Sequence, residues 1–142
     1  MFDARSAIVT ALTAGGFDNV DSYHNFKTTA LAERQIQEGK FPVSSGILGV
    51  GDWRVMERSM WSHGRNIVKS EFDILLFFRS GVTFFTDYDL DGTMAAALTK
   101  HELGSANTLI CELKKADEIV QIHDNIFKRR WILEVTSLED TN

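Results

Sequence analysis

Between Ile67 and Arg79 the chain places Val68, Phe72, Ile74, Leu76 and Phe78 on one face of an extended segment, with a small bend near Ser70. The opposite face carries Glu71, Asp73, Leu75, Phe77 and Arg79, polar at first and apolar further on. A strand with this pattern cannot leave either face of its far half in water. It needs a cover on both sides, from a helix or from another subunit. Any fold available to this sequence is arranged around that requirement.

The flanking segments supply candidate covers. Ala4, Ala7, Ile8, Ala11 and Leu12 recur at helical spacing before Gly15-Gly16, which predicts a helix over 2–14. A second helix is expected from Asp91 to His101, with Met94, Ala97, Leu98 and His101 on one face, acidic residues and Thr capping its start and Gly104 ending it. Phe41-Pro42-Val43, Gly46 to Val50 and Trp53 to Met56 read as short extended pieces punctuated by Gly, and Ser62 to Asn66 as a turn. Two further strands are expected, Thr108 to Leu113 and Ile126 to Thr136. The latter places Phe127, Trp131, Leu133 and Val135 against Lys128, Arg130, Glu134 and Thr136, interrupted by Ile132. Phe17 to Phe26 suits a turn or a short edge strand, and Ala30 to Gln37 is open between a helical turn and a polar loop. The fold class is therefore α+β: a mostly antiparallel sheet with an N-terminal helix and a second helix packed on it, in the order α-β-β-β-α-β-β. Regular β-α alternation of a dinucleotide or flavin fold is not present.

A length of 142 residues with 44% hydrophobic content suits one domain spanning 1–142. The formal charge of −5 opposes phosphate-backbone binding as the main activity, because counterion release needs clustered Lys and Arg. The dense basic run, Lys128-Arg129-Arg130, adjoins Trp131 in a strand pattern and reads as solvated strand-end charge. Cys111 is the single cysteine, in Thr108-Leu109-Ile110-Cys111-Glu112-Leu113, and reads as a buried structural thiol. Without a leader-like N-terminus or a long apolar run, the expectation is a cytosolic chain with no membrane partner.

Asp87, Asp89, Asp91 and Gly92 match positions one, three, five and six of a calcium loop, but position twelve is Leu98 where a bidentate Glu is needed. Asp89-Leu90-Asp91-Gly92-Thr93 also resembles the first motif of haloacid-dehalogenase-type phosphatases, in which one Asp attacks phosphorus and the next moves a proton beside magnesium. Thr86-Asp87-Tyr88 separates that motif from the apolar strand, and too little chain remains for the family's parallel-sheet domain. These aspartates read as helix-capping residues. His24, His63, His101 and His123 have no metal-ligand spacing, and neither a phosphate loop nor a nucleophile elbow is present. The expectation is no catalytic residue, no cofactor and no metal.

The aromatics Trp53, Trp61, Phe72, Phe77, Phe78, Phe84, Phe85 and Trp131 remain, most of them for the core. Trp61, beside a polar turn, and Phe77, on the second face of the strand, are the subunit-interface candidates. The element order resembles the tail terminator (tail completion) proteins of long-tailed bacteriophages. The similarity runs over nearly the whole chain: N-terminal helix, Phe41-Pro42-Val43, a long loop, the aliphatic strand Glu71 to Phe78, a helix, and a closing strand Trp131 to Glu139. It is a similarity of pattern without a signature motif, so no functional residue carries across. The resemblance implies a virion protein at the tail-neck junction, assembled in the host cytoplasm. It would form a homo-hexameric ring that caps the tail tube, stops polymerisation and offers its other face to a head-completion or connector protein, with DNA passing through unbound. Another neck protein is the near alternative. A metal-dependent phosphohydrolase using Asp89 and Asp91 and a monomeric ligand-binding domain are the distant ones.

Overall fold

The computed structural model describes residues 5–15, 17, 20–21, 25–41, 46–62, 64–79, 87–98 and 108–140. The described elements run α1 (Arg5–Ala14), β1 (Val20–Asp21), α2 (Asn25–Gln37), β2 (Ile47–Ser62), β3 (Arg65–Arg79), α3 (Asp87–Leu98), β4 (Thr108–Ala116), β5 (Val120–His123) and β6 (Ile126–Asp140). They form a mixed helix-and-sheet fold, with a mostly antiparallel six-stranded sheet in the order β1-β2-β3-β6-β4 and β5 also paired to β6. The short β1 is the parallel exception, matching Val20 to Leu48.

β3 lies at the centre, antiparallel to β6 along its whole length and to β2 from Arg65 to Phe77. All seven residues from Phe72 to Phe78 are buried. Phe72, Ile74, Leu76 and Phe78 enter one core with Leu48, Val50, Trp131, Leu133 and Val135, roofed by Ile8 and Leu12 of α1 and Met94, Ala97 and Leu98 of α3. The two helices nearly touch: a Cβ on Gly15 would come within 2.8 Å of the Ala97 methyl. After α1, the amide of Phe17 returns to the Leu12 carbonyl at 3.1 Å and its ring drops into the core, a capping bond and an apolar contact in one turn.

On the opposite face Leu75 and Phe77 join Ile47, Phe41, Ile126 and Ala32. The cover here is α2, in the stretch whose sequence left helix and loop open. Its buried Thr28 and Ala32 and half-buried Leu31, Gln35 and Ile36 form a helical stripe. The helix closes through paired bonds from the Lys40 amide to the Gln35 carbonyl, 2.8 Å, and from the Gly39 amide to the Ile36 carbonyl, 3.2 Å. Gly39 takes φ 69°, the left-handed conformation that such a stop requires.

Several boundaries depart from expectation. The pieces around 46–56 form one strand of 16 residues with register shifts, so they are irregularities within β2 and not breaks between strands. α3 starts at Asp87, four residues before the expected capping position, and the last expected helix residue, His101, lies outside the described residues. The β2–β3 connection is tighter than the expected turn from Ser62 to Asn66: Ser62 already pairs with Arg65 and Met60 with Asn66, and Gly64 takes φ 75°.

α2 crosses β2 at Gly49, where a side-chain Cβ would collide with Thr28 Oγ1 and crowd the rest of that side chain. A methyl there must push α2 off the sheet and uncover Leu75 and Phe77. Gly49→Ala is therefore expected to destabilise the fold by about 1–3 kcal/mol. Denaturant unfolding checks it, with the pair Gly49→Ala/Thr28→Ala expected to recover much of the loss.

Candidate assembly surface

Trp61 stands on β2 one residue before its end, and its side chain lies outside the described residues. Phe77 is 1% exposed, its ring enclosed by Ile47, Leu75, Ile126 and the α2 side chains. Its expected interface role is corrected to a core role: the second apolar face of β3 is satisfied within the chain by α2, so no subunit is needed to bury it.

Asp87, Asp89 and Asp91 are all inside α3. A calcium loop wraps its backbone around an ion, which a continuous helix does not do. Positions two apart on a helix are about 200° apart around its axis, unlike paired carboxylates leaving the end of a strand. Asp87 and Asp89 fall in the first turn of α3, where the amides are free and the helix end is positive, and Asp91 lies one turn further in. Among the described residues no three His, Cys, Asp or Glu side chains are placed to hold a metal ion.

Cys111 is buried on the α1–α3 face of the sheet. Desolvation pushes its thiol from an ordinary 9.0 up to about 12. A thiol that far from ionising is a poor nucleophile at neutral pH.

The sheet face beyond the reach of α2 carries a charge network that the sequence reading missed. Asp73 is 4% exposed in the middle of β3. From β2, the Arg54 guanidinium donates to Asp73 Oδ1 at 3.0 Å and approaches Glu71 at 3.3 Å. From β6, Arg130 approaches Asp73 Oδ2 at 3.7 Å, and its Nε lies 3.2 Å from Asp117 without hydrogen-bond alignment. The Asp73 hydrogen bond, outweighing partial desolvation, holds Arg54 above the ordinary guanidinium value. One rung away the register sets Glu71, Glu134 and Glu112 side by side on three strands. Like charges directly opposed would weaken the sheet. Arg54 at one end and Lys114, 3.7 Å from Glu134 and 3.8 Å from Glu112, offset that repulsion.

The basic run is thereby divided. Arg130 belongs to this network, Arg129 lies over the Trp131 ring at 5.7 Å, and Lys128 borders a groove between α2 and β5. Three neighbouring cations in sequence do three separate jobs and make no continuous phosphate-binding stripe.

The sheet also has two unlike margins. Beyond Gly49, β2 has β3 as its one strand neighbour among the described residues, and Met56 to Met60 are exposed in succession. On the other side β4 and β5 both pair with β6, and β5 is exposed throughout. No helix among the described residues is long and apolar enough to cross a membrane. No protein-family description matches this chain, and no curated protein matches it in sequence.

Two outcomes follow. Replacing Asp73 with Ala leaves Arg54 and Arg130 facing each other without their shared anion, and is expected to cost about 3 kcal/mol in denaturant unfolding, with Asp73→Asn milder because its carbonyl still accepts from Arg54. For Cys111 the folded thiol ionises at higher pH than the unfolded one. Its stabilising contribution is fully present below about pH 9 and is lost as pH rises toward about 12. The thermal midpoint of the wild type should therefore fall more steeply over that window than that of Cys111→Ala.

Proposed function

We propose that this chain is a structural subunit of a long-tailed bacteriophage that caps the tail tube as a homo-hexameric ring. In that role it ends tail polymerisation and presents a joining surface to a head-completion or connector protein. The observation that carries the reading is the pair of unlike sheet margins. β2 and the β4–β5 side cannot pair with themselves by a two-fold axis and bury both, but they can meet head to tail, and a head-to-tail contact with the right rotation closes into a ring.

Other features support the same role. The described elements run α-β-α-β-β-α-β-β-β; they keep the N-terminal helix, the central strand, the helix after it and the closing strand of the resemblance, and depart from its order α-β-β-β-α-β-β by α2 and β5. In the described charge network the carboxylates Asp73, Glu71, Glu134, Glu112 and Asp117 outnumber the cations Arg54, Arg130 and Lys114. The net charge of −5 suits a channel through which DNA passes without being held. The protein would act in the virion at the tail-neck junction and perform no reaction.

Light scattering on the purified chain tests this directly. The expected result is a particle near six times 16.0 kDa that persists on dilution. A strictly monomeric chain that also fails to become hexameric when mixed with tail tubes would overturn the proposal.

A further inference from the structure

Among the described residues the large apolar side chains left exposed fall into two groups: Met56 (56%) and Met60 (90%) on the outer half of β2, and Val120 (46%) and Ile122 (36%) on β5. They occupy opposite corners of the sheet. Met60 pairs with Asn66 at the start of β3, while β5 sits beside the first residues of β6, which pair with the end of β3 around Phe77. The eleven residue steps from Asn66 to Phe77 span about 36 Å of strand. One chain cannot bring the two groups together.

Ile122 is part of something more than an exposed patch. Between α2 and β5 runs a half-open groove of about 490 Å³, floored by Phe77, walled by Ile36 and Ile122, and bordered by Lys128 and Glu33. Lys128 has no ion-pair partner among the described residues. The opposite corner presents the converse shape: a projecting strand with methionines flanking Glu57 and Arg58.

We propose that this groove is the socket for the β2 methionines of a second copy of the chain, Met60 foremost, in a head-to-tail contact repeated around the ring. Methionine is unbranched and polarisable, so it can follow an irregular groove between side chains such as Ile36 and Ile122. The borders complement each other in charge, with Glu57 of one copy meeting Lys128 of the next and Arg58 meeting Glu33. That pairing fixes orientation and opposes a reversed docking. The contact is heterologous, since knob and socket lie on different parts of the chain, and each subunit uses both. It deepens the ring reading by naming the residues in contact, and so rests on that reading.

Disulfide trapping tests it. Met60→Cys chains are mixed with Ile122→Cys chains under mild oxidation; Cys111, being buried, does not compete. The expected result is covalent dimers from the mixture and none from either variant alone. In parallel, Glu57→Lys and Lys128→Glu should each weaken self-association by about threefold and restore it when combined. Dimers from Met60→Cys alone would show a two-fold contact and overturn the proposal. A hexameric wild type whose variants do not cross-link in the mixture would overturn this contact while leaving the ring. A monomer with no cross-link, in solution and on tail tubes, would remove both.

Discussion

The double burial of β3 is the constraint on which the rest of the structure depends. Seven consecutive residues, Phe72 to Phe78, are removed from water, and a strand in that position must be covered above, below and along both edges. The long partners β2 and β6 satisfy its backbone, α1 and α3 roof one face, and α2 closes half of the other. The close approach of α2 at Gly49 follows from the same need, because only a strand position without a side chain lets the helix reach Leu75 and Phe77.

Asp73 is the cost of extending that burial through a position that is not apolar. A carboxylate held in the centre of a sheet needs cations close by, and the two adjacent strands provide one each, Arg54 and Arg130. Those arginines then govern their surroundings. Arg54 offsets one of three carboxylates set in a row, and Arg130 ties down Asp117, whose amide also donates to the Arg130 carbonyl at 2.8 Å. The uncovered half of the face is thus polar and ion-paired. The apolar surface left over is displaced to the corners of the sheet, where it bears on assembly.

Much of the scaffold was legible because it rests on short-range periodicity. The alternation in β3 and β6, the Ile8–Leu12 and Met94–Leu98 spacings and the buried character of Cys111 all follow from residue pattern and agree with the structure. α2 was harder. Its stripe contains Thr28 and Gln35 where an apolar residue would have declared it, although Gly39 two residues past its end was a usable stop signal. The glycines of β2 suggest breaks in the sequence, whereas pairing to β3 carries the strand through its irregularities. Phe77 reads outward from the sequence because no residue pattern marks α2 as the cover of the second face of β3.

By itself the sequence determined that this protein has a central, doubly buried strand, helices with apolar stripes to pack on it, and an antiparallel sheet to hold it, since these depend on side-chain spacing along one segment at a time. Tertiary structure alone decided which cations neutralise Asp73, which helix covers Phe77, and where a groove and a projecting methionine pair are left on opposite corners. Each of these depends on the arrangement of segments from 19 to about 90 residues apart, with Arg54 and Asp73 the nearest pair. A shift of one residue in any strand pairing would turn those side chains to the other face, and no local pattern encodes that choice.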